Sequence, residues 1–475
     1  MQAFQVVHDI SIRQQFLRWM LVGRAFSFAF DVPKVHETPD IQTMRTSPTP
    51  PTSDAFGNLI DPSVGYARGQ ILRSASDELT RLQHCKRIAT ERLLARGSGS
   101  IGTFTGNRRD FPIRAGDAST LCEEWMGAGL IESELRAAVL EHMGGGPHDG
   151  VAVLNRTTAA LIAAIALLAN GRPVLAIAAA GGNAHAAAGR GCALARVPLI
   201  NMDMNGPWRE RLEVDRPALV IVTTVTSKLE VMRDAEIRAV TTSARAAGAI
   251  ALLDDAYGAR LRPVLHAGSL SLQLDAPLAV TNCDKAGLSG PRCGILAGRS
   301  DLVNAVLTQA SEWGMEARAP VLAGALRALQ NYTSLDLLRE SAEGLALCSA
   351  VAALFDAGSV IHTDLGPLVP EEVVLREVLR RAGMDARQAP IAPCEATAAV
   401  AVVMLRDHGI LTTNTHGQPG ANVALRLKPT RDALAIAGGV EGVVAALSHA
   451  MDEISSALPS PPKISALLGI DIPDL

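Results

Sequence analysis

From about residue 150 onward, short unbroken apolar runs alternate with longer stretches in which apolar residues return every three or four positions. VAVL is followed by TTAALIAAIALLA, and PVLAIA by NAHAAAGRGCALA. VPLIN, ALVIVTT, AIALLD, LAVTN and GILAG continue the series, with the helical pattern DAEIRAVTTSARAAG between two of them. Strands that lack polar alternation are buried on both faces, and strands alternating with helices make a mostly parallel sheet with helices on either side. The expected fold class is therefore α/β.

The flanks read differently. Residues 1–60 show no clean period and contain the Pro/Ser/Thr-rich stretch RTSPTPPTSDAFGN, so a poorly ordered tail is expected there. SASDELTRLQHCKRIATERLLAR, residues 74–96, has helical spacing and anchors a helical segment over residues 61–145. The large α/β domain is expected over residues 146–335 and a smaller C-terminal domain over residues 336–475. In that smaller domain shorter strands and helices (VIHTD, ATAAVAVVML, NVALRL) precede a final helix over residues 431–458, which suggests α+β.

Composition narrows the function. With 475 residues, 48% of them hydrophobic, the chain has ample material for a large core and a second domain. A net charge of −4 gives no electrostatic footprint for nucleic acid or an anionic membrane. Seven scattered cysteines without a CxxC pair argue against a disulfide framework and a zinc site, so no metal is expected. The most apolar stretch is broken at Asn170, Gly171, Arg172 and Pro173 into pieces too short to span a bilayer. The N-terminus lacks the order of a signal peptide, and the cytoplasm is the expected compartment.

In open α/β sheets ligands sit beyond the carboxyl ends of the strands. After VAVL come Asn155, Arg156, Thr157 and Thr158 at a helix start, which suits a phosphate as well as a plain N-cap. After PVLAIA, the glycines of AAGGNAHAAAG allow close approach of a ligand, and His185 suits the face of an aromatic ring or a simple helix start. After AIALL come Asp254 and Asp255, costly behind a buried strand unless paired, although aspartate is also common in turns. After LAVTN come Asp284 and Lys285, in a chain with six lysines against a majority of arginines. A desolvated lysine can lose its proton near neutral pH whereas arginine cannot. Pyridoxal phosphate asks for all four sites: a phosphate cradle, a ring-stacking group, a carboxylate for the ring N–H, and a lysine for its aldehyde.

The chain resembles fold-type I pyridoxal-phosphate enzymes of the aspartate aminotransferase superfamily. LLDDAYGARLRP is similar to their aspartate segment, and TNCDKAGLSGPRCGILAGRSDLV is similar to the lysine segment of the selenocysteine-synthase-like branch and its archaeal relatives. GILTTNTHGQPGANVALRLKPT resembles the ending of that branch and of the cysteine desulfurases. The resemblance covers roughly residues 95–455. It implies a Schiff base with Lys285, Asp254 on the pyridine nitrogen, His185 on the ring, Tyr257 near the cofactor's phenolic oxygen, and Arg426 on the substrate α-carboxylate. The bland reading of Arg426 is a surface ion pair on an edge strand. Where relatives carry a hydroxyl three residues before the lysine this chain has Asn282, with Thr281 next to it, and either could serve as the cofactor contact there, Asn282 by position and Thr281 by its hydroxyl. The TNLGR-like segment of true selenocysteine synthases is not apparent, so neither that activity nor tRNA binding is carried over.

The expectation is an enzyme acting on a small-molecule amino acid through a Cα carbanion, by β-elimination or replacement. Aminotransfer and a non-catalytic cofactor-binding protein are the alternatives. A homodimer or higher homo-oligomer is implied by the resemblance.

Overall fold

A computed structural model describes residues 53–471 except 62 and 122, so the tail expected over residues 1–60 lies almost wholly outside the described residues. The centre is a seven-stranded sheet. Its strands in chain order are β1 (Asp149–Leu154), β2 (Val174–Ala178), β3 (Leu199–Asp203), β4 (Leu219–Thr223), β5 (Ile250–Asp254), β6 (Leu278–Thr281) and β7 (Gly294–Arg299). They lie side by side as β1-β7-β6-β5-β4-β2-β3. Every residue of β2, β4 and β6 is buried, which is why these segments read as continuous apolar runs. The outer strand β3 is mostly only half-buried.

All pairings are parallel except those of β7, which runs antiparallel to both β1 and β6. The reason is its connection. Parallel neighbours need a crossover, usually helical, whereas residues 282–293 between β6 and β7 form no helix. This loop carries Lys285 and begins and ends on one edge of the sheet. That edge is where β1, β2, β5 and β6 also end, because Gly294 pairs with Leu154 and Asp254 with Val280.

The rest of the described chain builds a second core. An antiparallel three-stranded sheet, β8 (Ile361–Thr363), β9 (Gly366–Val369) and β10 (Leu425–Arg426), packs with helices Glu371–Ala382, Pro393–His408 and Gly439–Ala457. Ile71, Leu72, Cys85 and Phe104 of the N-terminal segment are buried in this same core. Glu395 fixes that entry: its carboxylate accepts backbone N–H bonds from Ile71 (2.6 Å), Leu72 (2.8 Å) and Ala392 (2.9 Å).

Two stretches differ from their sequence pattern. ATAAVAVVML is an unbroken apolar run whose period is silent, and it lies within helix Pro393–His408, where Pro393 to Leu405 are all buried. Proline at its first turn and Gly409 in the left-handed region after its end set its limits. The helix expected over residues 431–458 is two helices, Arg431–Ala437 and Gly439–Ala457, broken at Gly438 with φ 83°, and it is not the last, since Pro461–Leu468 forms a further helix. No single helix among the described residues is long and apolar enough to cross a membrane.

Candidate functional site

Asp254 and Lys285 leave the ends of adjacent strands, and their charges act on one another across the buried edge. Asp254 is 4% exposed. Burial raises its carboxyl to about 6, against the opposing pull of Lys285 and a backbone N–H from Ala256. It forms no ion pair among the described residues. Its neighbour Asp255 has the opposite fate. It is fully buried and bound by Arg262 (2.7 Å), Ser271 (2.6 Å) and Thr224, which makes it part of the scaffold.

Arg260, which the sequence reading passed over, clamps the two strand ends together. Its Nε donates to the Lys285 carbonyl (3.1 Å). Its Nη1 reaches Thr281 Oγ1 (3.2 Å) and the Asn282 carbonyl (3.1 Å), and its Nη2 reaches the Ala256 carbonyl (3.1 Å) and Asn282 Oδ1 (2.9 Å). The Asn282 amide nitrogen donates to the Ala256 carbonyl at 2.8 Å, so both polar atoms of this side chain are engaged within the protein. Ala286, next to Lys285, is held at φ 51°, a conformation costly for alanine that a clamped loop can enforce. Replacing Arg260 by methionine is expected to lower stability by on the order of 3 kcal/mol, because several buried acceptors lose their donor at once. The denaturant midpoint measures this, and an unchanged midpoint would refute the clamp.

Tyr257 lies 7% exposed beneath two amines. Lys285 Nζ stands 4.7 Å and Lys428 Nζ 4.4 Å from its ring centroid. Lys428 also donates to the Tyr257 hydroxyl at 3.0 Å. Burial alone would raise the phenol, but the charges of Lys428, Lys285 and Arg426 and the Lys428 hydrogen bond overcome it and bring it to about 7. Burial in turn brings Lys428 down to about 8.

Arg426, at the end of β10, is 7% exposed. Its Nη1 donates to the Ser227 carbonyl at 3.0 Å, and its Nε is buried without a partner. It is thus not the surface ion pair of the bland reading.

His185 precedes helix Ala186–Ala195, and its Nδ1 accepts the Ala187 N–H at 3.1 Å, which puts the proton of a neutral ring on Nε2. It is exposed by area. Yet desolvation, with the charges of Lys285, Arg190, Arg156 and Arg426, pushes its pKa down to about 4. The ring therefore lies within reach of Lys285 and Arg426 as well as of Arg156 and Arg190.

At one end Arg156, Thr157 and Thr158 open helix Thr157–Leu168. Gly294 is required here, since a Cβ would lie 2.5 Å from the Arg156 carbonyl carbon. Arg156 bonds Gln418 Oε1 at 2.6 Å and lies close enough to Arg109 and Arg190 to feel their charge. Arg292 feels the same group, whose acidic member is Asp284, paired with Arg109 at 3.1 Å. The structure therefore brings Lys285, Asp254, His185, Tyr257, Arg156 and Arg426 within electrostatic reach of one another, with Asn282 bracing the loop that carries Lys285. It adds Arg260, Lys428, Arg109, Arg190 and Arg292. Positive charge exceeds negative at both ends.

No family model matches the chain. It is 30% identical over 356 residues, 75% of its length and 89% of the relative's, to a UPF0425 pyridoxal phosphate-dependent protein of Methanothermobacter thermautotrophicus. A UPF0425 pyridoxal phosphate-dependent protein of Methanococcus maripaludis is 26% identical over 358 residues, 74% of this chain and 92% of that one. Among solved structures, the SepCysS–SepCysE N-terminal domain complex aligns at a TM-score of 0.52 with 15% identity, covering 77% of this chain and 98% of that one. Histidinol-phosphate aminotransferase from Sinorhizobium meliloti in complex with pyridoxal-5'-phosphate aligns at 0.50 with 17% identity, covering 78% and 94%. These two share the α/β fold expected from the strand pattern, a mostly parallel sheet flanked by helices.

Proposed function

The chain belongs to the UPF0425 family of pyridoxal phosphate-dependent proteins, and from that premise we propose that it is an enzyme that removes the Cα proton of an amino acid and completes a β-elimination or replacement. Its cofactor is pyridoxal phosphate. The residues fit that group: a buried, unpaired carboxylate at 254, an amine at 285, a desolvated imidazole between them and a cationic helix start, and a guanidinium with an unpartnered Nε. Bound there, the cofactor supplies an electron sink for the pair left when the Cα–H bond breaks.

In this reading Arg156, Thr157 and Thr158 hold the phosphate with the helix dipole. His185 would pack on the ring and Asp254 would keep the ring N–H protonated. Lys285 would hold the aldehyde and would supply the amine that takes the Cα proton. Arg426 grips the substrate carboxylate with its fork of donors. Tyr257 would offer its hydroxyl to the cofactor's phenolic oxygen. Asn282, with both its polar atoms already bonded, acts through the loop it braces. Working as a homo-oligomer belongs to the same proposal.

The observation that carries this reading is the meeting of Lys285, Asp254 and Tyr257 at the ends of adjacent strands. The choice of β-chemistry is supported by the similarity of the lysine segment and the C-terminal segment to the selenocysteine-synthase-like branch and the cysteine desulfurases. A panel of amino acids mixed with holo-protein tests it. Pyruvate and ammonia in equal amounts, together with the released β-group (sulfide where the substrate is cysteine), are the expected product set. Keto-acid-dependent conversion without pyruvate release would make it an aminotransferase, and no change with any amino acid would make it a non-catalytic binder.

A further inference from the structure

Lys428 is not needed for the chemistry assigned above, yet it is built into the site. It is 4% exposed, and its backbone N–H donates to the Phe104 carbonyl at 2.9 Å. Thr105 bridges to Lys428 and Asn107 to Lys285, so the segment 104–107 is stitched to both lysines. Gly106 lies flat on the Lys428 stem, where a Cβ would come 2.7 Å from its Cδ. The amine therefore cannot swing out to water as surface lysines do.

An ammonium has three hydrogens to donate, and Lys428 uses one, on Tyr257. No carboxylate pairs with it or with Arg426 among the described residues. The two stand on either side of Leu427, which is buried in the second core. Extended backbone sends residues two apart to one face, and both cations act on Tyr257. The Tyr257 phenol, brought down to about 7, is the acidic group facing both cations, and it supplies at most one negative charge for the two, a costly imbalance in a buried place. The phosphate end has its own cations in Arg156, Arg109, Arg190 and Arg292. One α-carboxylate accounts for Arg426 and leaves Lys428.

We propose that Lys428 is an anion subsite for the substrate side chain, so that the amino acid this protein acts on carries a second acidic group, a carboxylate or a phosphate. The proposal rests on the amino-acid reading and on Arg426 holding the α-carboxylate. Arg426 fixes the amino acid at its backbone end, Lys428 draws the side chain to the Tyr257 side, and Cα is left facing Lys285. Selectivity then comes from the cost of leaving Lys428 unpaired when the side chain is neutral.

The test uses holo-protein and the change in cofactor absorption on adding aspartate, glutamate or O-phosphoserine against asparagine, glutamine or serine. The acidic members are expected to bind at least about 10-fold more tightly than their neutral counterparts. Lys428→Met is expected to bring that ratio to about one while neutral amino acids keep their affinity, and Lys428→Arg to restore much of it. Phosphoserine preferred over aspartate and glutamate identifies a phosphate, and the reverse a carboxylate. A folding control is the Tyr257 phenolate band of the apo-protein, whose titration midpoint should rise in Lys428→Met with the thermal midpoint little changed. Equal binding of acidic and neutral amino acids by the wild type overturns the subsite while the amino-acid reading stands. Equal weakening of both classes in Lys428→Met assigns the lysine to the cofactor instead. A panel in which nothing binds overturns both readings.

Discussion

Lys285→Ala is expected to bind no cofactor covalently and to lose about 10⁴-fold or more in turnover, the full range a positioned base supplies. The wild-type protein should absorb at about 420 nm with cofactor bound to its lysine, and borohydride should leave a pyridoxyl group on the peptide containing residue 285. Both signals should vanish in the variant. The reason lies in how completely this residue is positioned. Its carbonyl is held by Arg260, it bridges to Asn107, and its amine lies over the Tyr257 ring. No other lysine is held at the end of β6, and Lys428 is tied to the Tyr257 hydroxyl. Lys285→Arg separates charge from nucleophilicity: it keeps the cation beside Asp254 yet should fail equally, because a guanidinium does not yield a neutral amine. Colour or turnover surviving in either variant would remove Lys285 from the chemistry.

The residues that local pattern brings out are those whose role follows from their own strand. Asp254 and Lys285 each stand directly past an unbroken apolar run, where a charge demands an explanation, and His185 follows a glycine pair after another. The inner strands of the central sheet were visible for the same reason, since burial on both faces leaves a continuous apolar signature, and the half-buried outer strand β3 was visible from its place in the alternation with helices. Strand order leaves no such trace. The function of Arg260 depends on β5 and β6 being neighbours, a fact carried by pairing and not by local composition. The break at Gly438 was hidden because the apolar spacing runs on through both helices. Lys428 is different, since its signal was present. The rarity of lysine that singled out position 285 applied equally to 428, but its strand is short and the segment covering it comes from residues 104–107, far away in sequence. The cations Arg109, Arg190 and Arg292 come from three separate loops and helices, so no window of sequence holds them together.

Asp254→Asn is expected to make the apo-protein more stable and the enzyme much worse. The carboxyl is buried, the charge of Lys285 offsets only part of that cost, and its pKa rises from the ordinary 3.8 to about 6. A group whose pKa is raised by folding holds its proton more tightly in the folded state. Below about pH 4 it is protonated folded or unfolded and costs nothing. As the pH climbs through 6 the folded protein must ionise a buried acid, and the penalty grows to a plateau on the order of 2 to 3 kcal/mol. Asparagine keeps an oxygen for the Ala256 N–H and never ionises. The variant's advantage in denaturant midpoint should therefore be absent near pH 4, develop between 4 and 6, and stay constant above. The same change removes the counter-charge that keeps the ring nitrogen protonated, so turnover should fall by about 10² to 10³-fold, with cofactor still trapped on Lys285 by borohydride. A stabilised fold with a retained but ineffective cofactor is a combination that a merely structural aspartate does not give. Loss of stability at neutral pH would show instead that Asp254 already has a cationic partner in the apo-protein, and would move the ring-nitrogen role to another residue.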